Sequence, residues 1–404
     1  MEGYAAHMRT PPALVTPALL TWAREAAGLT VSGLAGAIGQ AEERVLAWEE
    51  GIEQPSMAQL RDIADRLKRP TATFFLPEPP PEKGRRQVDF RTLPETSESG
   101  MGVALELELR LAELKRQDAL DLAEELEVPL PEFTFRASLK DDPEVVGSKL
   151  RRWLDVPAPG NRLWRDKYTA LKTWREAIER VGVLIMQASG IPVSVMRGCA
   201  LASFPLPVVI VNGGDAPAGR TFTLLHELGH LALGQDSLCD LVDGTGTRSP
   251  LKESIEVFCN HIAGAALVPM DALLSSRTVV EGLRRNAEGE WDDSSLIELS
   301  RQFGTSSEVV LRRLVIGRAA SPDFYGHWRA QQQRAMEGAS SDEGGFVEYF
   351  RRVVNHNGRV FTRLVVDAYQ RELITGTELS RMLGTKLLHL PKIQAEVGMP
   401  ETLR

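Results

Sequence analysis

The sequence predicts a multidomain chain: an all-α domain first, an α+β domain next, and a helical C-terminal extension last. Three observations predict it. Short segments with helical apolar spacing fill residues 16–77, and a proline-rich run, Pro77-Glu78-Pro79-Pro80-Pro81, then interrupts the chain. Further on, the β-type run Val208-Val209-Ile210-Val211 precedes a helix with His226 and His230 four residues apart. The boundaries that follow are a tail at 1–15, an all-α domain at 16–77, a linker at 78–100, the α+β domain at 101–318 and the extension at 319–404.

Met1 to Val15 lacks a continuous apolar stretch and reads as a loose tail. Five short helices are then expected at 16–26, 30–38, 41–49, 56–69 and 71–76, with Leu19, Leu34, Val45, Trp48, Leu60, Ile63 and Leu67 among their core positions. Pro77 to Gly84 is expected to be a stiff, extended linker. Met101 to Leu126 reads as a long amphipathic helix, Trp164 to Val181 as another, and strands begin at Gly182. Two strand-like runs surround Pro205-Leu206-Pro207, and Gly213 to Pro217 is read as a loop. A helix is expected from Thr221 to Leu233, closed by Gly234, and a second from Lys252 to Leu267. Helices at 294–303 and 306–316 flank Gly304-Thr305, and a Ser/Gly/acid-rich segment follows at 338–345. Helices at 358–374 and 377–383 end the pattern, with Asn355-His356-Asn357 read as a turn.

Composition narrows the function classes. The chain has 404 residues, enough for two or three domains. With 43% hydrophobic residues and no apolar run of membrane length, neither a transmembrane helix nor a signal peptide is expected. A net charge of −8 gives no whole-chain preference for nucleic acid, and three scattered cysteines make no disulfide framework.

The segment His226-Glu227-Leu228-Gly229-His230 carries chemistry. On a helix it presents two imidazoles on one face to a single Zn²⁺, with Glu227 beside them as general base for a metal-activated water, which is the chemistry of a zinc peptidase. A random chain of this composition would contain such a motif on the order of 0.01 times. The helix around it is apolar nearly all round, so it must be buried, and buried histidines need partners. A third ligand is expected on the next helix, where Glu253, Glu256 and Asn260 share a face; Glu256 is the best ligand, Glu253 the substitute, and Asn260 a hydrogen-bonding support for a ligating histidine. His261 points away from that face and reads as structural. Cys239 lies in a polar loop nine residues after His230, and a thiolate there could fold back onto the open zinc position and hold the site latent; the alternative is an ordinary loop thiol. Cys259 reads as core filling.

These residues resemble a known family. Gly219 to Leu231, with Glu256-Val257-Phe258-Cys259-Asn260 and Leu267-Val268-Pro269, is similar to the two motifs of the ImmA/IrrE metallopeptidases. The resemblance implies a cytoplasmic, gluzincin-like zinc endopeptidase whose substrate is a protein, either a helix-turn-helix repressor or the chain's own linker, in a stress, mobile-element or phage response. It also suggests an edge strand that holds substrate by backbone pairing, for which Ala200 to Phe204 is the candidate, with plain core strand as the alternative. Residues 30–56 resemble the XRE (Cro/C1-type) helix-turn-helix, in which the third helix, Ala41 to Glu49, enters the major groove; Gln40 and Arg44 are then the candidate contacts to duplex DNA. From Thr16 to Pro77 six basic side chains face eight acidic ones, a net charge of −2, which limits DNA affinity. A substrate-docking or homodimer-forming module of the same fold is the alternative. The rival function is a transcription regulator whose zinc domain is a non-catalytic sensor, against which the presence of Glu227 speaks, since a structural zinc needs no general base.

Overall fold

Helix boundaries in the first domain are set by side chains at the turns between them. Thr30 accepts a hydrogen bond from the Gly33 amide and starts one helix, and Gly39, at φ 64°, ends it in the left-handed conformation that an L side chain resists. In a computed structural model the chain is described over residues 12–79 (28, 68 and 70 excepted), 101–157, 164–235, 237–239, 250–285, 289–338 and 347–399. Of the expected tail at 1–15, residues 1–11 lie outside the described residues, as do the linker from 80 to 100 and the Ser/Gly/acid-rich segment from 339 to 345. Ala13 and Val15, however, are not loose: both are buried in the first unit's core, their amides donating to the Pro55 carbonyl and to Gln54 Oε1. The chain divides into two compact units, 1–110 and 111–404.

The first unit contains α1 (Pro17–Ala26), α2 (Val31–Ile38), α3 (Glu42–Glu49), α4 (Met57–Leu67) and a 3₁₀ turn (Thr71–Phe75). Leu19, Leu34, Val45, Trp48, Leu60, Ile63, Leu67 and Phe74 form its core. Arg24 on α1 makes a two-pronged ion pair with Glu49 on α3, Nε to Oε1 at 2.6 Å and Nη2 to Oε2 at 2.9 Å, which fixes how these helices cross. Helix α5 (Met101–Glu125) runs across the boundary between the units.

After α5 the second unit continues with α6 (Pro143–Trp153) and α7 (Lys167–Arg180). Strands β1 (Leu184–Ala188), β2 (Gly198–Leu201), β3 (Val208–Asn212) and β4 (Ser237–Cys239) form one sheet in the order β1-β3-β2-β4, parallel only between β1 and β3. The register pairs Ile185 with Val209, Ala200 with Val209 and Gly198 with Val211, so these residues share one face. On that face lies α8 (Pro217–Ala232), and α9 (Pro250–Leu267) packs against it. Leu224, Leu225, Leu228 and Leu231 of α8 meet Ile185, Ala200, Val209 and Val211 of the sheet in one core with Ile262, Ala263 and Ala266 of α9. Gly147 lets α6 approach α9 closely: a Cβ there would lie 2.6 Å from that of Ala265.

Beyond α9 come α10 (Met270–Leu274), α11 (Arg277–Arg285), α12 (Asp293–Phe303), α13 (Ser307–Ile316), α14 (Pro322–Gly338), α15 (Tyr349–Asn357), α16 (Arg359–Gln370), α17 (Gly376–Leu383) and α18 (Leu390–Val397). The last helices return to the sheet. Arg175 of α7 binds Asn355 Oδ1 at 2.9 Å and the Ile185 carbonyl at 3.1 Å, and His356 Nδ1 lies 3.2 Å from the Gln187 carbonyl.

Three further expectations need correction. The segment Asn355-His356-Asn357 is the last turn of α15, because the Asn357 amide is buried and donates to the carbonyls of Val353 and Leu383, with Gly358 ending the helix. The metal-motif helix starts at Pro217 rather than Thr221, since proline suits the first helical turn, where its missing N–H is no loss. The segment Ala200–Phe204 is not an edge strand: β2 ends at Leu201 and lies between β3 and β4, so its backbone is paired on both sides.

Candidate metal centre

Helix α8 is buried from Thr223 to Ala232, which forces its polar side chains to find partners inside the fold. His226 and His230, one turn apart, point their Nε2 atoms at each other across 3.1 Å. Glu256 reaches in from α9, with Oε2 3.4 Å from His226 Nε2 and Oε1 3.5 Å from His230 Nε2. All three donors lie within 4.8 Å of one another. Donors about 2.0–2.2 Å from a tetrahedral metal are separated by roughly 3.3–3.5 Å, so this set already stands at the spacing a bound divalent ion requires. Two imidazole nitrogens and one carboxylate suit zinc in a site with a free fourth position.

The carboxylate is the more open side. Glu256 is 23% exposed and His230 only 3%, so among the described residues the cluster meets solvent on the side of Glu256. Burial, with His226 beside it and Glu256 opposing, lowers the His230 imidazole to about 4 and keeps it neutral, the form that binds metal. Phe222, one turn before His226, lies with its ring centroid 6.3 Å from that imidazole.

Close packing brings the two ligand helices together. At Gly229, inside the motif, a Cβ would lie 3.0 Å from Cys259 Sγ and 3.2 Å from its Cα, so glycine lets α9 approach α8 at this level without displacing Cys259. Cys259 is buried, and burial, to which Glu256 and Glu227 add, pushes its thiol far above the ordinary range; it packs as a neutral side chain. The far end of α9 is held by two buried arginines. Arg151 donates to the Ala266 carbonyl at 2.7 Å, and Arg313 to that of Val268 at 3.0 Å. Arg313 also grips Glu144 of α6 with two bonds, at 2.5 and 2.8 Å, and His261 meets the same carboxylate at 2.5 Å. Burial opposes ionisation of Glu144, but Arg313 and His261 together hold its carboxyl below the usual range.

Of the residues singled out in the sequence, His226, His230 and Glu256 converge, and Glu227 stands beside them on α8, fully buried. Glu253, one turn before Glu256 near the start of α9, is exposed and is not in the cluster. Asn260 is half-buried one turn beyond Glu256, and no hydrogen bond joins its side chain to either histidine among the described residues. His261 is structural, through Glu144. Residues 237–239, expected in a loop, form β4, in which Cys239 stands opposite Gly198. In the first unit, Gln40 is half-buried and accepts a bond from Gln59 at 3.3 Å, while Arg44 is exposed on α3, 3.8 Å from Glu53. Sequence reasoning missed Arg151, Glu144 and Arg313, whose roles depend on partners far along the chain. It also passed over Gly229, although glycine inside an apolar helix is a recognisable sign of close approach.

Comparison with known proteins places this site in context. Residues 178–315 match the peptidase M78 family, described as the IrrE N-terminal-like domain. A stretch of 63 residues is 36% identical to the Radiation response metalloprotease IrrE of Deinococcus radiodurans, covering 15% of this chain and 19% of that protein. The chain thus spans about a fifth of the relative's length in that match. The second unit therefore carries, at 178–315, a domain of the IrrE N-terminal-like family, and the His226–His230–Glu256 cluster lies within it.

Proposed function

We propose that the chain is a zinc-dependent endopeptidase acting on a protein substrate. The observation that carries this reading is the set of three donors at tetrahedral spacing with a buried carboxylate, Glu227, next to one of them. His226, His230 and Glu256 hold the metal. Zinc, when bound there, lowers the pKa of a water molecule and polarises a peptide carbonyl. Glu227 accepts the proton of the attacking water and passes it to the leaving amine. The match at 178–315 and the likeness to a named metalloprotease support this type of function. A non-catalytic sensor, the rival reading, has no use for the Glu227 carboxylate.

The substrate in this proposal is a helix-turn-helix repressor encoded separately, or the chain's own segment between Pro77 and Gly100, cleaved in the cytoplasm during a stress, mobile-element or phage response. The first unit serves as an XRE-type helix-turn-helix. Gln40, just before α3, and Arg44, on α3, are the proposed contacts to duplex DNA, weak because of the acidic surface, or else the unit docks substrate or forms a homodimer. Cys239 is the proposed inhibitory ligand that holds the zinc latent, and the alternative is an ordinary thiol; its backbone stands in β4 opposite Gly198 of β2.

The test compares wild type with Glu227→Gln in the native cell under DNA damage, reading protein termini by mass spectrometry. New termini present in wild type and absent in the variant are expected. If none depends on Glu227, and the variant regulates genes as wild type does, the domain is a sensor.

A further inference from the structure

We propose that Gly198 is a positioning residue for the Glu227 carboxylate, acting by letting β2 lie directly against α8; this rests on the reading of Glu227 as general base. Gly198 pairs with Val211 and shares the face of Ala200 and Val209 that packs on α8. A Cβ at this position would lie 2.3 Å from Thr223 Cγ2, 3.1 Å from the Ile210 carbonyl oxygen and 3.3 Å from Glu227 Oε1. The first distance is far inside van der Waals contact. Gly198 is not among the residues at positive φ, so space and not backbone conformation demands glycine here.

The neighbour that would have to yield cannot do so cheaply. Thr223 is 6% exposed, so its short side chain, with two χ1 rotamers open to it on a helix, can move only against packed neighbours. Thr223 and Glu227 are four residues apart on α8, stacked on the face that meets β2. A methyl group at 198 therefore forces the strand away from the helix or pushes Thr223 along it, and either movement alters the surface against which the Glu227 carboxylate rests. The three metal donors point from other positions, on α8 and on α9, and keep their mutual spacing. Gly198 thus sets the location of the base without setting that of the metal.

The experiment uses the full-length protein loaded with cobalt(II), whose visible absorption reports the surroundings of the open metal position without any substrate. Glu227→Gln supplies the reference for loss of the carboxylate. Gly198→Ala is expected to retain about one cobalt per chain while its spectrum moves most of the way to that of Glu227→Gln. The double variant Gly198→Ala/Thr223→Ser, which removes the methyl at 2.3 Å, is expected to return to the wild-type spectrum. A general loosening of the sheet would not be rescued by deleting that one methyl. A Gly198→Ala spectrum identical to wild type, or a failure of the double variant to recover, overturns the inference. Should Glu227→Gln itself leave the spectrum unchanged, Glu227 does not face the metal, and the endopeptidase reading fails together with the inference.

Discussion

Stripping the metal with a chelator leaves His230 to its own protonation equilibrium, and the consequence can be worked from the site. Burial and the neighbouring His226 hold the folded imidazole at about 4, against about 6.5 for an unfolded histidine. Between these values the unfolded chain binds a proton that the folded chain refuses. The stability contributed by neutral His230 is therefore complete above pH 6.5, falls as the pH is lowered through the window, and levels off below about 4. One pH unit inside the window removes about 1.4 kcal/mol, so the full loss approaches 3 kcal/mol, or roughly 5–10 °C in Tm for a unit of this size. The assay is calorimetry of the metal-free protein from pH 4 to 7.5, with metal-free His230→Asn as control. The wild type should lose more stability on acidification than the variant, the difference arising below pH 6.5. Equal pH dependence in the two proteins refutes the reasoning. A wild type that gains stability on acidification refutes it more pointedly, because the Glu256 carboxylate would then be holding a charged imidazole against the pull of burial.

Other outcomes follow from the same geometry. Glu256→Gln should lower zinc affinity by at least the 10- to 100-fold typical of lost support around a metal, measured by competition with a chromogenic chelator, whereas Glu253→Gln, on an exposed position, should leave it unchanged. Glu144→Ala strands the Arg313 guanidinium, only 2% exposed, and should destabilise the second unit by about 3 kcal/mol in urea titrations; Arg313→Met added to it should recover part of that loss, and a double variant weaker than the single would contradict the assignment. Full-length Glu227→Gln protein should bind a pool of duplex DNA weakly at low salt, with Arg44→Ala weakening it further. No binding at low salt makes the first unit a docking or dimer module.

How much of this was legible depends on how far apart the cooperating residues lie. The ligand pair His226 and His230, and Glu256 on the following helix, could be read because helix periodicity converts spacing directly into a shared face. The burial of α8 was equally plain from its leucines. The strand β4 was not, since three residues in a polar segment carry no period-2 pattern and its pairing depends on β2. The same applies to α6, whose start at Asp142-Pro143 is a recognisable cap and first-turn proline, but whose packing on α9 depends on Gly147 meeting Ala265. Charge networks were the least visible. Nothing in the local sequence of Glu144 indicates that Arg313, 169 residues later, closes on it, because a salt bridge leaves no periodicity.

The way α8 and α9 are held bears on what the metal is for. A structural zinc contributes folding energy outright and is usually enclosed by four protein donors. Here the helices are fixed by other means. Leu224, Leu225, Leu228 and Leu231 bury α8 against the sheet, Gly229 seats it on Cys259, and Arg151 and Arg313 clasp the carbonyls at the end of α9. None of these contacts involves a ligand atom. Among the described residues the cluster supplies three donors, on the edge of the core where Glu256 meets solvent. Helices already held together by these contacts do not need an ion to cross-link them, and three donors beside a buried carboxylate fit the proposed catalytic role better than a structural one.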